Sequence, residues 1–143
     1  MVVNLSLCAT KEFVNEENLQ TYAKLAKQLG IAFIWLLEPH ATGHYEGLDV
    51  ALSEQQITML QTFYEQYNFD KKFKDYPAVA YPAYHQRRVG CLGSGNRFIY
   101  IDSNGKIKSC PMCGSAHGNA ETVDIDMAIK SLQAIGCGPF RDA

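Results

Sequence analysis

The chain has 143 residues, of which 47% are hydrophobic and 20% charged, so it has the composition of a globular protein and not of a disordered segment. It carries 13 basic against 15 acidic residues, and its isoelectric point is near 6.0. This balance excludes the strongly basic surface that nucleic acids and anionic membranes require, so we expect a small-molecule or protein partner.

The chain also lacks the sequence features of membrane and secreted proteins. Its longest unbroken apolar run, residues 31–37, is too short to cross a bilayer, and its N-terminus lacks the basic region and cleavage site of a signal peptide. We therefore expect a cytoplasmic protein. Because thiols stay reduced there, its 5 cysteines are more typical of metal ligands than of a disulfide framework, and the odd count argues against full pairing.

The first third of the chain predicts a right-handed β-α-β unit. Residues 2–8 form a β-prone apolar segment, and a helix follows that begins after Asn15 and ends at Gly30. Residues 31–37 are apolar at every position, which predicts a parallel strand buried on both faces. The apolar residues of the helix fall on one face, and they are Leu19, Tyr22, Leu25, Ala26 and Leu29.

A polar loop, residues 38–47, follows the second strand at the edge of a parallel sheet where α/β proteins bind ligands. A second helix is predicted after Ser53, which forms a capping box with Gln56. Its buried stripe is Ile57, Leu60, Phe63, Tyr64 and Tyr67. Residues 70–82 show little periodicity and are expected to be a connector, so we divide the chain into residues 1–76 and residues 77–143.

The second region predicts a β-hairpin and a helix. Residues 98–101 and 106–108 flank Asn104-Gly105, the pair that best supplies the positive φ angles of a type I′ turn. The last helix is expected to start near Asp124 and to stop at Gly136. Its apolar residues at helical spacing are Ile125, Ala128, Ile129 and Leu132.

Four cysteines surround these two elements. Cys91 precedes the first hairpin strand, and Cys110 and Cys113 follow the second as Cys-Pro-Met-Cys. Since an antiparallel hairpin brings its two ends together, we expect Cys91 to lie near the Cys110/Cys113 pair. A separation of two residues lets both sulfurs reach one metal, as in zinc and iron-sulfur sites.

Cys137, which lies between two glycines after the last helix, is the expected fourth ligand if that helix returns over the hairpin. His117 is the alternative, because Cys110, Cys113 and His117 would contribute to a Cys3His zinc site. Cys8 is expected to be a buried core residue. His40 and His44 are expected to be solvated loop residues.

The segment from Cys91 to Cys110, with Gly105 between them and the hairpin sequence of residues 98–108, resembles the auxiliary-cluster domain of radical SAM enzymes, of the SPASM or twitch type. The resemblance implies that Cys91 and Cys110 bind an auxiliary 4Fe-4S cluster and that a further cysteine after a helix, Cys137, belongs to the same arrangement. Residues 2–69 are similar to the second half of a radical SAM barrel.

The expected fold is therefore α/β: a partial parallel β/α unit, half of a barrel, over residues 1–76, and a small α+β metal-binding region with a β-hairpin and a helix over residues 77–143. No Cys-x-x-x-Cys-x-x-Cys motif occurs, so the resemblance implies a C-terminal fragment or degenerate member that is not active alone. An isolated pair of parallel strands is not stable by itself, so we also expect a partner that completes the sheet, either a catalytic half or another copy in a homo-oligomer.

The leading hypothesis is thus an auxiliary 4Fe-4S cluster on Cys91, Cys110, Cys113 and Cys137 that transfers electrons or anchors substrate. The alternative is a non-enzymatic interaction module with a structural zinc on four cysteines or on three cysteines and His117. Thiolate ligands suit both metals, so the residues themselves leave this choice open.

Overall fold

The structure is a computed structural model that describes residues 2–91 and 93–135. Within these ranges it has four α-helices and two three-stranded sheets. In chain order they are β1 (Asn4–Cys8), α1 (Glu16–Gln28), β2 (Phe33–Leu37), α2 (Glu54–Phe69), β3 (Ala78–Ala80), α3 (Pro82–Val89), β4 (Tyr100–Ile101), β5 (Lys106–Lys108), β6 (Ala116–Asn119) and α4 (Ile125–Ile135). None of the helices in the described ranges is long and apolar enough to cross a membrane.

The chain divides into two compact units after Tyr84. This division lies later than residue 76, because Ala78–Ala80 adds a third strand to the sheet of the first unit. The predicted connector also contains a short 3-10 helix, Lys71–Phe73, and leads into α3, which begins at Pro82. Proline suits the first helical turn because that turn needs no N–H donor.

The first unit contains a parallel sheet in the order β1-β2-β3. Leu5 of β1 lies opposite Ile34 of β2, which in turn lies opposite Val79 of β3. The predicted β-α-β unit is therefore confirmed, with a second helix and a third strand continuing the same parallel pattern.

Local capping determines where the two helices of this unit begin. The Asn15 side chain accepts a hydrogen bond from the backbone N–H of Asn18 at 2.9 Å, and Ser53 and Gln56 form the predicted capping box. Gly30 has a φ of 67°, as expected just past a helix end. The Gln56 amide also donates to the Lys11 carbonyl at 2.6 Å, which fixes the start of α2 against the loop after β1.

The core of the first unit lies on one face of its sheet. Buried side chains of both helices, such as Leu19 and Leu60, pack with Leu7, Ile34 and Val79 in one cluster. Since side chains alternate along a strand, the intervening residues point to the other face.

The prediction that β2 is buried on both faces is wrong. Phe33, Trp35 and Leu37 are 42%, 41% and 45% exposed, because both helices pack on the opposite face. The expectation of a buried Cys8 is wrong for the same reason: its thiol lies in the exposed register of β1.

The second unit contains an antiparallel sheet in the order β4-β5-β6. The predicted hairpin is confirmed, but its connection differs from a two-residue type I′ turn. Ile101 pairs with Ile107, which leaves residues 103–105 in the turn, and Gly105 takes a φ of 75°. A three-residue connection with glycine in the left-handed region is the next most common hairpin geometry.

Helix α4 packs against this sheet through Ala128 and Leu132, which form a small buried cluster with Ile107. Its start is confirmed near Asp124, whose carboxylate accepts the N–H of Asp126 at 2.8 Å. The predicted stop at Gly136 lies outside the described residues.

Candidate metal centre

Cys110 and Cys113 are held in one tight turn just beyond β5. The Cys113 N–H donates to the Cys110 carbonyl at 3.1 Å, which closes a four-residue turn around Pro111 and Met112. Both thiols are free and half-buried. The Cys113 sulfur lies 3.8 Å from the Ser115 carbonyl oxygen. Two sulfurs are thus presented from one short segment, as the Cys-x-x-Cys spacing predicts.

Cys91 is also free and half-buried, but it lies before a separate closed loop. The Gly93 carbonyl accepts the N–H groups of Asn96, Arg97 and Phe98, the shortest at 2.8 Å, and Gly95 donates back to Phe98 at 2.9 Å. This loop stands between Cys91 and the first hairpin strand, which begins only at Tyr100. The antiparallel ladder therefore ends before it reaches Cys91.

The structure does not assemble Cys91, Cys110 and Cys113 into a three-sulfur group. Among residues 2–91 and 93–135, no three His, Cys, Asp or Glu side chains form a group that could hold a metal ion. The hairpin alone fails to bring all three thiols together because the 93–98 loop follows its own hydrogen bonds. Cys137 lies outside the described residues, so the four-cysteine site stays a prediction.

The loop after Cys91 packs closely on helix α4. A Cβ atom added to Gly95 would lie 2.9 Å from the backbone nitrogen of Gln133 and from the Cβ of Leu132. The Gln133 amide donates to the Gly95 carbonyl at 2.8 Å. Because Gly95 also has a φ of 69°, both its conformation and its lack of a side chain are required here. The last turns of α4 therefore lie against the loop that follows Cys91.

Ser94 in the same loop is 1% exposed, and its hydroxyl has no hydrogen-bond partner among the described residues. Buried hydroxyl groups in folded proteins almost always have a partner. This residue was not predicted from the sequence. Its position three residues after a cysteine, in a run of glycines, was the only feature that could have indicated it.

Asp102 organises the hairpin turn from its base. Its carboxylate accepts the N–H groups of Asn104 at 2.9 Å and of Lys106 at 3.0 Å, and it lies 3.1 Å from the Lys108 ammonium. Burial by itself raises the pKa of Asp102, but the hydrogen bonds from Lys106, Lys108 and Asn104 outweigh burial and lower that pKa from its ordinary value. The turn thereby holds β5, and with it the approach to Cys110, in a defined register.

The histidines are distributed along the chain. His117 lies half-buried on β6. The residue before His117 is Ala116, which pairs with Lys108 of β5. His40 and His44 are both exposed in the loop after β2, as predicted. His117 does not form a group with the cysteines that could hold a metal ion within the described ranges.

The cavities of the first unit include one at the edge of its sheet and one between its helices. One of about 220 Å³ opens at the carboxyl ends of β1 and β2 and is lined by Cys8, Lys11, Tyr45 and Asp49, among others. This is the edge at which the sequence analysis expected a ligand. The other, of about 350 Å³, lies between α1 and α2.

Comparisons of the chain with protein-family models, with curated proteins and with solved structures found no match. The assignment of function therefore depends on the residues themselves.

Proposed function

We propose that the second unit binds a metal centre through Cys91, Cys110, Cys113 and Cys137, and that this centre is a 4Fe-4S cluster. The observation that carries the proposal is the closed turn of Cys110-Pro-Met-Cys113, with two free thiols at its ends. Thiolates at this spacing are the ligands that iron-sulfur clusters require.

The packing of the Cys91 loop on α4 supports the participation of the other two cysteines. Gly95 touches Gln133, and Cys137 follows Gln133 by only four residues in the sequence. The loop that follows Cys91 thus contacts the helix that precedes Cys137 in the sequence. The hydroxyl of Ser94 is a buried donor that has no acceptor among the described residues, and a ligand sulfur would satisfy it.

In this proposal the metal centre adds to the stability of the second unit. Among the described residues of this unit, the buried apolar cluster is Ile107, Ala128 and Leu132, with Ile99 and Ala120 packed against it, which is small for an independent fold. Metal binding supplies folding free energy in small domains, and a site that forms fully only with its metal is common.

In this proposal the chain is an oxidoreductase component and not a complete enzyme. Its resemblance to the C-terminal portion of radical SAM enzymes implies a cluster that transfers electrons or anchors substrate for a catalytic half. The parallel sheet of the first unit, with helices on one face only, supports the half-barrel part of that resemblance.

The test is metal and sulfide analysis of anaerobically purified protein, together with its visible spectrum. We expect about four irons and four sulfides per chain and absorption near 400 nm. The double variant Cys110→Ser/Cys113→Ser should lose both. The control variant Cys8→Ser removes an exposed thiol in the other unit and should retain them. A colourless protein without bound metal, or a double variant that keeps its iron, contradicts the proposal.

A structural zinc is the second candidate, because the described cysteines suit it equally. One zinc per chain with no visible absorption would identify it. Loss of that zinc in His117→Ala, with retention in Cys137→Ser, would assign the Cys3His set.

A further inference from the structure

The two edges of the parallel sheet differ in how their backbone groups are satisfied. In β1, alternate residues turn their N–H and C=O groups away from β2, and these are Asn4, Ser6 and Cys8. The Cys8 carbonyl accepts the N–H of Thr10 at 3.0 Å, and the Ser6 carbonyl accepts only a long bond of 3.4 Å from the Tyr22 hydroxyl. The three N–H groups have no acceptor in the part of the chain that the structure describes.

The edge at β3 is closed by a side chain. The Asn68 amide donates to the Val79 carbonyl at 2.9 Å and accepts the Val79 N–H at 3.1 Å. These are the two groups that Val79 turns away from β2, so one amide replaces the backbone of a neighbouring strand. Within the described residues the edge at β1 has no such cover, and Asn4–Cys8 contains no lysine, proline or bulge of the kind by which proteins protect exposed edges.

The helix beside the open edge presents an apolar flank. Tyr22, Leu25 and Leu29 follow one another at i, i+3 and i+7, and Leu25 and Leu29 are 47% and 61% exposed. The Tyr22 bond to Ser6 places this flank on the β1 side of the helix. The opposite flank, which carries Glu16 and Gln20, borders the cavity against α2.

From these contacts we propose that the first unit forms a two-fold symmetric dimer with a second copy of this chain, through the edge of β1 and the Tyr22/Leu25/Leu29 flank of α1. Antiparallel pairing centred on Ser6 places Ser6 opposite Ser6 of the second copy and Asn4 opposite Cys8. All five residues of β1 are then paired.

A second copy fits this surface because the surface complements itself. A two-fold axis places strand against strand and leucine flank against leucine flank. None of the residues named in the edge or in the flank is charged, so no like charges meet across the axis. A peptide strand alone would satisfy the edge but would leave Leu25 and Leu29 exposed.

The proposal goes beyond the metal centre and does not depend on it. The test is the molar mass of the full chain, measured by light scattering over a concentration series with and without metal. We expect a mass that rises to about twice 16.0 kDa in both preparations. A mass that stays at one copy up to the solubility limit overturns the proposal.

Two lysine variants locate the interface. Ser6→Lys places two cations opposite each other at the axis and should give a monomer. Ala78→Lys lies on the same open face but at the edge that Asn68 closes, so it should remain dimeric. If both variants are monomeric, the two copies stack through the open faces of their sheets instead. If both variants remain dimeric, the β1 edge is not the interface. Either result overturns the proposal. Thermal melting confirms that both variants fold.

Cross-linking tests the register. Residues directly opposite each other in a hydrogen-bonded pair have Cα atoms about 5.5 Å apart, within reach of a disulfide. Ser6→Cys should therefore give a disulfide-linked dimer under mild oxidation. The wild-type Cys8 thiols would be about 13 Å apart and should not cross-link. Failure of Ser6→Cys to exceed the wild type overturns the register.

Discussion

Gly95→Ala is the substitution for which the structure gives the sharpest expectation. The residue has a φ of 69°, which costs a non-glycine residue about 1–2 kcal/mol. The new methyl group would also lie 2.9 Å from a backbone nitrogen and from a Cβ of α4, and overpacking of this kind costs about 1–3 kcal/mol. Relaxation of the helix recovers part of this cost. We therefore expect the second unit to lose about 2–4 kcal/mol.

Amide hydrogen exchange is the appropriate assay, because it reports local opening of each unit separately. Protection of residues 93–98 and 125–135 should fall by roughly 30- to 1,000-fold, since each 1.4 kcal/mol is about a factor of ten. Helix α1 in the first unit should keep its protection.

Gly114→Ala is the matched control, because it lies in the same unit, takes an ordinary φ and has no atom within 4 Å of an added Cβ. It should change protection by less than about 0.5 kcal/mol. If Gly95→Ala behaves like Gly114→Ala, the loop does not pack on α4 as described. The packing support for Cys91 and Cys137 as joint ligands would then fail.

Three further predictions concern other elements. Asn68→Ala removes both hydrogen bonds to Val79, so it should lower the free energy of unfolding of the first unit by about 1–3 kcal/mol. Urea unfolding measures this change, and an unchanged midpoint would contradict the closing of the β3 edge by Asn68. Because the pKa of Asp102 is lowered, its contribution to the hairpin is full well above the ordinary pKa of an aspartate and is lost as the pH falls through the lowered pKa. Asp102→Asn should therefore flatten the acid dependence of hairpin exchange, and a profile parallel to the wild type refutes this. Leu132→Ala should cost the second unit about 2–5 kcal/mol in exchange protection, whereas Met127→Ala, on an exposed position of the same helix, should be near neutral.

The elements that were predicted correctly are those with local determinants. Asn15 and Ser53 cap their helices through side chains three residues from their partners, and the Asn104-Gly105 pair marks the hairpin. Such features are readable in sequence because the interacting atoms are neighbours in the chain.

The elements that were missed depend on tertiary contacts. Ala78–Ala80 is too short to show alternation, and Ala116–Asn119 lacks the β-branched residues typical of strands. The pattern of β2 is apolar on both sides, so it could not indicate which face the helices would leave open.

The site was predictable in part for the same reason. The spacing of Cys110 and Cys113 predicts their common turn directly. The position of Cys91 depends on how a glycine-rich loop bonds to the Gly93 carbonyl, and glycines give no preferred path in sequence.

The amide of Asn68 has a consequence for the size of any assembly. A sheet with two free edges can add copies at both ends and grow into a fibre, whereas in the described part of this chain the Asn68 amide occupies the outward groups of Val79 at the β3 edge. A two-fold pairing consumes the β1 edge of each copy, so growth terminates at two chains. In the proposed dimer, the side chain of Asn68 thus decides whether copies form a closed pair or an open polymer, although it lies outside the β1 edge through which they pair.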